Sequence, residues 1–249
     1  MMFSVSGLSK EFDQQSIFSE LNLTVARNRF AVLIGPSGCG KSTLFDVLTG
    51  VTSADTGQIR WQDTDVAHLG DLAAYMHQKD LLLPWFSLLD NSLLPAKTGG
   101  EDMQKAKPRA IELFSRLGLA GYEQHLPHQV SGGMRQRCAL VRTLMFNREL
   151  VLLDEPLSAL DAITRKSLQS LLLLLQSEFD RTLLMITHDV DEALLLADDL
   201  YLLSAKPMRV VEKIELHGEK PRRFDSPELL AIKAMIMQKL EGDIEYVPC

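Results

Sequence analysis

Residues 35–43 read GPSGCGKST, a match to G-x-x-x-x-G-K-[ST] that follows the apolar run Phe30–Ile34 and opens a helix-like stretch, Ser42–Leu48. That pattern suits the binding of a nucleotide's phosphates. Gly35, Gly38 and Gly40, interleaved with Pro36, Ser37 and Cys39, permit a backbone path in which successive N–H groups point inward, and the helix N-terminus adds partial positive charge. Lys41 is placed to reach the β- and γ-phosphates, Ser42 to offer its hydroxyl to Mg²⁺ and Thr43 to face the α-phosphate. Cys39 reads as a tolerated small residue of the loop, with a redox-sensitive thiol as the alternative. A second motif, LVLLDEP at 150–156, uses four apolar residues to deliver two carboxylates to the end of a strand. Asp154 is placed to hold Mg²⁺ through water, and Glu155 to take the proton of a hydrolytic water. Alone, Asp-Glu after a strand would be only a turn signal; beside Lys41 it completes a nucleotide site.

Several elements must bring these groups together. Phe30–Ile34, Leu150–Leu153, Leu183–Ile186 and Leu200–Leu203 are continuous apolar runs that end in glycine, acid or hydroxyl residues, as strands buried on both faces do. Between them lie helix-like stretches: Ser42–Leu48, Gly132–Phe146, Asp161–Phe179 and Val190–Ala197. Such alternation predicts a parallel α/β sheet. Near the N-terminus, Leu21, Leu23, Val25, Ile59 and Trp61 instead alternate with polar residues, which predicts a flanking antiparallel layer. Residues Leu81 to about Gln129 contain Pro84, Pro95, Pro108, Pro127, the soft linker Thr98-Gly99-Gly100 and one amphipathic helix around Ala106–Leu117. These residues read as an inserted helical subdomain. The tail carries a strand-like Arg209–Leu216 and a helix Pro227–Leu240, too little for a separate regulatory domain.

The 249 residues are 46% hydrophobic and 24% charged, a globular composition. The longest comparable apolar run, Leu171 to Leu175, falls far short of the roughly 18 residues that a spanning helix needs. The N-terminus MMFSVSGLSKEF has no secretory pattern, and Cys39, Cys138 and Cys249 form no disulfide framework, so the sequence predicts a cytoplasmic chain. A net charge of −7, with no basic cluster longer than Arg222–Arg223, argues against nucleic acid as a partner. His125 and His128 form an H-x-x-H pair with no third metal ligand near in sequence.

Residues 131–137 read SGGMRQR and enter the stretch that ends at Phe146. This string resembles the signature motif of ABC transporter ATPases, with Val130 where that family usually has leucine. Gln78, after the strand-like Ala73–Met76, resembles the family's Q-loop glutamine; Ser158-Ala159-Leu160-Asp161 resembles the D-loop, and His188 the switch histidine. Each has a plainer reading alone: a solvated glutamine, a helix-capping serine, a surface histidine. Their ordered occurrence over residues 35–188 selects the family.

The resemblance implies that Ser131, Gly132 and Gly133 bind the γ-phosphate held by another subunit, that Gln78 senses Mg²⁺ and that phosphate, and that His188 aligns phosphate and water with Glu155. Asp161 joins the nucleotide-binding set, and Phe12 stacks on adenine; a place in the core is the alternative for it, as for the nearby Phe18 and Phe30. It further implies one nucleotide-binding domain over 1–249: a P-loop NTPase with a RecA-like α/β core, an antiparallel β-subdomain, a helical subdomain inserted at about 81–147 and a short tail, 206–249. ATP and Mg²⁺ are the implied cofactors. The implied partners are a second copy, head to tail, transmembrane permease subunits, and indirectly a solute-binding protein, with the chain peripheral at the cytoplasmic face of the membrane. The stretch HQKDLLLPWFSLLDNSLLP (77–95) and the tail segment KPRRFDSPELLAI (220–232) are similar to ATPases of nitrate, sulfonate and taurine importers and of pyrimidine thiamin-precursor importers. An exporter, a lipoprotein-release complex and a soluble non-transport ABC ATPase are the alternatives. Trp85 either faces the permease or anchors the subdomain from within.

Overall fold

The computed structural model describes residues 1–158, 160–222 and 226–242; Ala159 of the D-loop-like string, residues 223–225 of the tail segment and Cys249 lie outside the described residues. A hairpin of β1 (Phe3–Phe12) and β2 (Gln15–Val25) precedes β3 (Phe30–Ile34) and α1 (Lys41–Thr49). Next, β4 (Thr56–Trp61) and β5 (Thr64–Val66) join the hairpin in an antiparallel sheet of order β2-β1-β4-β5. The second sheet contains β3 together with β6 (Ala73–Met76), β7 (Leu150–Asp154), β8 (Thr182–Thr187), β9 (Asp199–Leu203) and β10 (Val210–Glu215), in the order β10-β9-β3-β8-β7-β6. All of its pairings are parallel except that of β10 with β9.

The uninterrupted apolar runs are explained by what covers them. Phe30, Val32 and Ile34 point into one hydrophobic cluster, and Ala31 and Leu33 into a second, on the opposite face of the sheet. The same alternation holds in β7 and β8, so these strands bury both faces and have no solvent side to mark with polar residues. The second cluster is closed by α1 and the antiparallel sheet, with Leu44, Phe45 and Leu48 fully buried between the layers. On the other side lie α5 (Ala162–Ser177), α6 (Val190–Leu196), α7 (Pro227–Gly242) and the helices between β6 and β7.

That intervening segment departs from expectation. It contains α2 (Leu88–Thr98) and α3 (Met103–Arg116), a 3-10 turn at Pro127–Gln129 and α4 (Gly132–Met145), where the sequence predicts one helix before Gly132. Pro95 suggests a break, but it lies in the last turn of α2, whose start is capped by Ser87: its Oγ accepts from Asp90 N at 3.0 Å and donates to Asp90 Oδ2 at 2.7 Å. The tail is fixed to the core by cations. Lys220 Nζ pairs with Asp198 Oδ1 at 2.8 Å, and the buried Arg222 guanidinium donates to the carbonyls of His217, Leu194, Ala197 and Leu216.

Asn91 shapes the chain before α2. Fully buried, its amide donates to the carbonyls of Leu83, Phe86 and Ser87 at 3.0–3.1 Å and accepts from Leu83 N at 2.7 Å, folding residues 83–87 into a tight loop. Asn91→Leu fills the same volume but strips these backbone groups of partners. Urea unfolding should then show a loss of about 2–4 kcal/mol, whereas an unchanged midpoint would mean that the loop holds itself.

Candidate functional site

The loop at 35–43 connects the end of β3 to α1. Gly38 and Gly40 adopt positive φ, +74° and +121°, and a Cβ at Gly40 would come within 2.5 Å of Ile17 Cγ2, so the loop needs glycine there for both conformation and space. The buried Lys41 ammonium donates to Gly35 O and Pro36 O, both at 2.8 Å.

Ser37, Gly38, Gly40, Lys41, Ser42 and Thr43 line a cleft of about 450 Å³ together with Gln78, Glu155 and His188, which arrive from the ends of β6, β7 and β8. Adjacent parallel strands therefore deliver the motifs side by side. Glu155 sits just past β7 at φ +47°, a left-handed conformation that costs a non-glycine residue roughly 1–2 kcal/mol. Hydrogen bonds offset that cost: Glu155 N donates to Ile186 O at 3.0 Å, and Ser158 Oγ donates to Glu155 O at 3.0 Å. The carboxylate points back into the cleft, where Oε2 accepts from Gln78 Nε2 at 3.2 Å and lies 3.3 Å from His188 Nδ1.

Asp154 ends β7 behind these groups. It is buried, and its Oδ1 has no hydrogen-bond partner among the described residues. Burial raises its pKa above the ordinary aspartate value; the Ser42 hydroxyl opposes the shift, and the neighbouring Glu155 and Asp46 charges add to it. An orphaned, desolvated carboxylate oxygen beside a serine hydroxyl is a donor set that suits a hard divalent cation.

Other residues singled out in the sequence lie elsewhere. Gly35 supports the loop from beneath, where a Cβ would meet Leu203 at 2.9 Å. Cys39 N donates to Pro36 O at 3.4 Å, and its buried thiol lies beneath the loop, 3.7 Å from the Met208 sulfur and 3.8 Å from Lys41 Nζ. Ser131 and Gly132 are exposed at the start of α4, with Ser131 Oγ accepting from Met134 N at 3.3 Å; with Gly133, they are absent from the cleft lining. Asp161 caps α5, its carboxylate accepting from Ile163 N and Thr164 N at 3.1 and 3.0 Å. Of the three neighbouring aromatics, Phe18 and Phe30 are buried, whereas Phe12 is 44% exposed at the tip of β1 with Lys10 Nζ 4.9 Å from its ring centroid. Trp85 is 69% exposed, so it does not anchor the subdomain from within.

Two features are not legible in the sequence: the place of Lys206, and the contacts made by Arg135, inside SGGMRQR, and by Arg142. Lys206, in the β9–β10 turn, lines the cleft. Arg135 and Arg142 of α4 hold the segment after Gln78: Arg135 Nε pairs with Asp80 Oδ2 at 2.9 Å, and Arg142 donates to Leu81 O and Asp80 O at 2.8 and 2.6 Å.

A carboxylate whose pKa rises on folding weakens the folded state wherever it is ionised. The cost of Asp154 is absent below the unfolded value of 3.8, grows as pH climbs through the raised value, and is complete above it. Asp154→Asn should therefore stabilise the ligand-free protein by roughly 1 kcal/mol near neutral pH, with the gain fading as pH falls toward about 4 in guanidinium melts. A gain that does not vary with pH would trace it to packing instead.

A family model described as ABC transporter matches residues 18–158. The chain is 36% identical over 247 residues to the taurine import ATP-binding protein of Yersinia pseudotuberculosis serotype I, covering 96% of this chain and 97% of that protein. It is 37% identical over 223 residues to the formylaminopyrimidine import ATP-binding protein of Halalkalibacterium halodurans (90% and 87% covered), and 35% identical over 252 residues to the aliphatic sulfonates import ATP-binding protein of Bacillus subtilis (99% and 98%). Among solved structures, a dimeric post-hydrolysis ATP-binding cassette bound to ADP and Pi superposes with a TM-score of 0.79 at 25% identity, covering 88% of this chain and all of that one. With the phosphate loop, the two carboxylates and the signature string in place on this α/β fold, the chain belongs to the ABC transporter family and is one of its ATPases.

Proposed function

We propose that this chain is the ATP-hydrolysing subunit of a membrane importer for a small solute of the taurine, sulfonate and nitrate type or the pyrimidine thiamin-precursor type, working as a head-to-tail dimer. One observation carries the mechanism: Lys41, Glu155, Gln78 and His188 share one cleft, while Ser131 and Gly132 face solvent elsewhere. A phosphate held by Lys41 meets Ser131, Gly132 and Gly133 only if a second copy supplies them, and two such sites close under a two-fold axis. The whole chain, 1–249, then acts as one nucleotide-binding domain.

In this reading the loop amides and Lys41 hold the β- and γ-phosphates, and Phe12 stacks on adenine. Ser42, Asp154 and Gln78 would hold Mg²⁺, which when bound would supply positive charge against the phosphate oxygens. The orphaned Oδ1 of Asp154 supports that assignment. Glu155 takes the proton of the attacking water as the bond between the γ-phosphorus and the bridging oxygen breaks, leaving ADP and phosphate. Gln78 and His188, both within 3.3 Å of Glu155 Oε2, orient that carboxylate and the water. Asp161 joins the site through the partner copy.

Transport requires membrane partners, because no described helix is long and apolar enough to cross a bilayer. The segment around Trp85, exposed and fixed by Asn91 a few residues beyond Gln78, is the proposed docking surface for the permease subunits. A solute-binding protein delivers the substrate to those subunits, and the chain sits at the cytoplasmic face.

Glu155→Gln preserves shape and removes the base. It should bind ATP yet hydrolyse it about 10²–10⁴-fold more slowly, and light scattering should report an ATP-dependent dimer; near-normal turnover would remove Glu155 from the role of base. Trp85→Ala should leave the ATPase of the isolated chain within about twofold of the parent while abolishing co-purification with permease subunits from membranes. Recovery of soluble RNA or DNA factors in place of permeases would overturn the importer reading.

A further inference from the structure

Lys206 is the one group of the cleft lining that no motif accounts for. It stands at the tip of the β9–β10 turn, its side chain exposed, and among the described residues it has no hydrogen-bond or ion-pair partner. The other lysine of the cleft, Lys41, is engaged by two loop carbonyls.

The turn that carries Lys206 is tied to the phosphate loop. Leu203 packs so closely on Gly35 that a Cβ there would approach it to 2.9 Å. Met208 N donates to Ile17 O at 2.8 Å, and the Met208 sulfur lies 3.7 Å from Cys39 Sγ, beneath the loop. The turn is also closed on itself, Ser204 N donating to Arg209 O and Arg209 N to Ser204 Oγ, both at 3.0 Å. The backbone that carries Lys206 is thus held at a fixed station relative to the loop. In the sheet, β9 and β8 flank β3 on opposite edges, so Lys206, which follows β9, and His188, which follows β8, approach the loop from opposite sides.

We propose that Lys206 is a second cationic contact for the nucleotide's polyphosphate, reaching it from the side of the phosphate loop opposite His188. This rests on the ATPase reading above and adds a nucleotide-binding residue to it. A polyphosphate brings about three to four negative charges into a cleft that already holds Glu155. An unpaired ammonium on a tethered turn meets that charge without first breaking an internal ion pair. As the group is solvent-exposed, its contribution is modest and sensitive to salt.

The test uses the full-length protein and equilibrium displacement of a fluorescent ATP analogue by ATP and by AMP. Lys206→Gln should weaken ATP binding about 3- to 10-fold, Lys206→Glu should weaken it further, and Lys206→Arg should restore it. AMP should lose little, and the ATP deficit should shrink as NaCl rises from about 50 to about 500 mM. Equal ATP affinity in Lys206→Gln and the parent would overturn the proposal, as would an equal loss for ATP and AMP. Parent protein that binds ATP, with Lys41→Ala that does not, keeps the ATPase reading intact whichever way Lys206 falls; parent protein that fails to bind ATP would remove both.

Discussion

The burial of Asp154 is the constraint around which the rest of the molecule is arranged. A carboxylate with an unpartnered oxygen at the end of a central strand is a costly placement, and the sheet tolerates it because β7 is covered on both faces and paired on both edges. The residue after it bears a further cost, being forced into a left-handed conformation that aims its side chain into the cleft. A hydrogen bond to the Ile186 carbonyl and hydrogen bonds from Ser158 and Gln78 make that conformation the stable one. Stability is given up locally so that two acids stand ready in one place, and the hydrophobic clusters on either side of the sheet sustain the loss.

A second tier of contacts ties the cleft to the helices inserted between β6 and β7. Arg135 and Arg142 project from α4, the helix that Ser131 caps, and grip Asp80 and Leu81 two and three residues beyond Gln78. Arg137 of the same helix donates to Leu117 O at 2.9 Å, at the end of α3. The segment after Gln78, the start of α4 and the end of α3 are therefore one mechanical body. Charged, directional bonds instead of slack chain thus join the segment after Gln78 to the helix that Ser131 caps.

Much of this was legible in the sequence, for reasons that can be stated residue by residue. β3, β7, β8 and β9 announced themselves as unbroken apolar runs because helices or a second sheet cover both of their faces. The phosphate loop was legible because its glycines answer to positive φ and to the close approach of Ile17. α2 was hidden by Pro95, which local rules read as a break although it falls in the last turn, and the Ser87-x-x-Asp90 cap was the overlooked signal. β1 was obscured by register shifts around Gly7 that interrupt its alternation. Lys206 could not be read at all: its place in the cleft follows from Leu203 and Met208 packing under a loop about 170 residues earlier, a proximity that only tertiary structure creates.

The two-sided burial of β3 also fixes where its ligand loop can stand. Phe30, Val32 and Ile34 fill one cluster while Ala31 and Leu33 fill the other, and residues 30–34 are in register with 183–187. A slip of one residue, about 3.3 Å, would exchange the two sets, drive phenylalanine into space shaped for alanine and carry Gly35 away from Leu203. Intermediate positions would break every ladder bond at once. The register that sets the height of the phosphate loop above the sheet is therefore a digital quantity: substitutions in β3 can empty or crowd a core and shift the strand by fractions of an ångström, but they cannot slide the loop by a residue without exchanging both faces, so side chains that reach in from the rim can vary without disturbing where the loop stands.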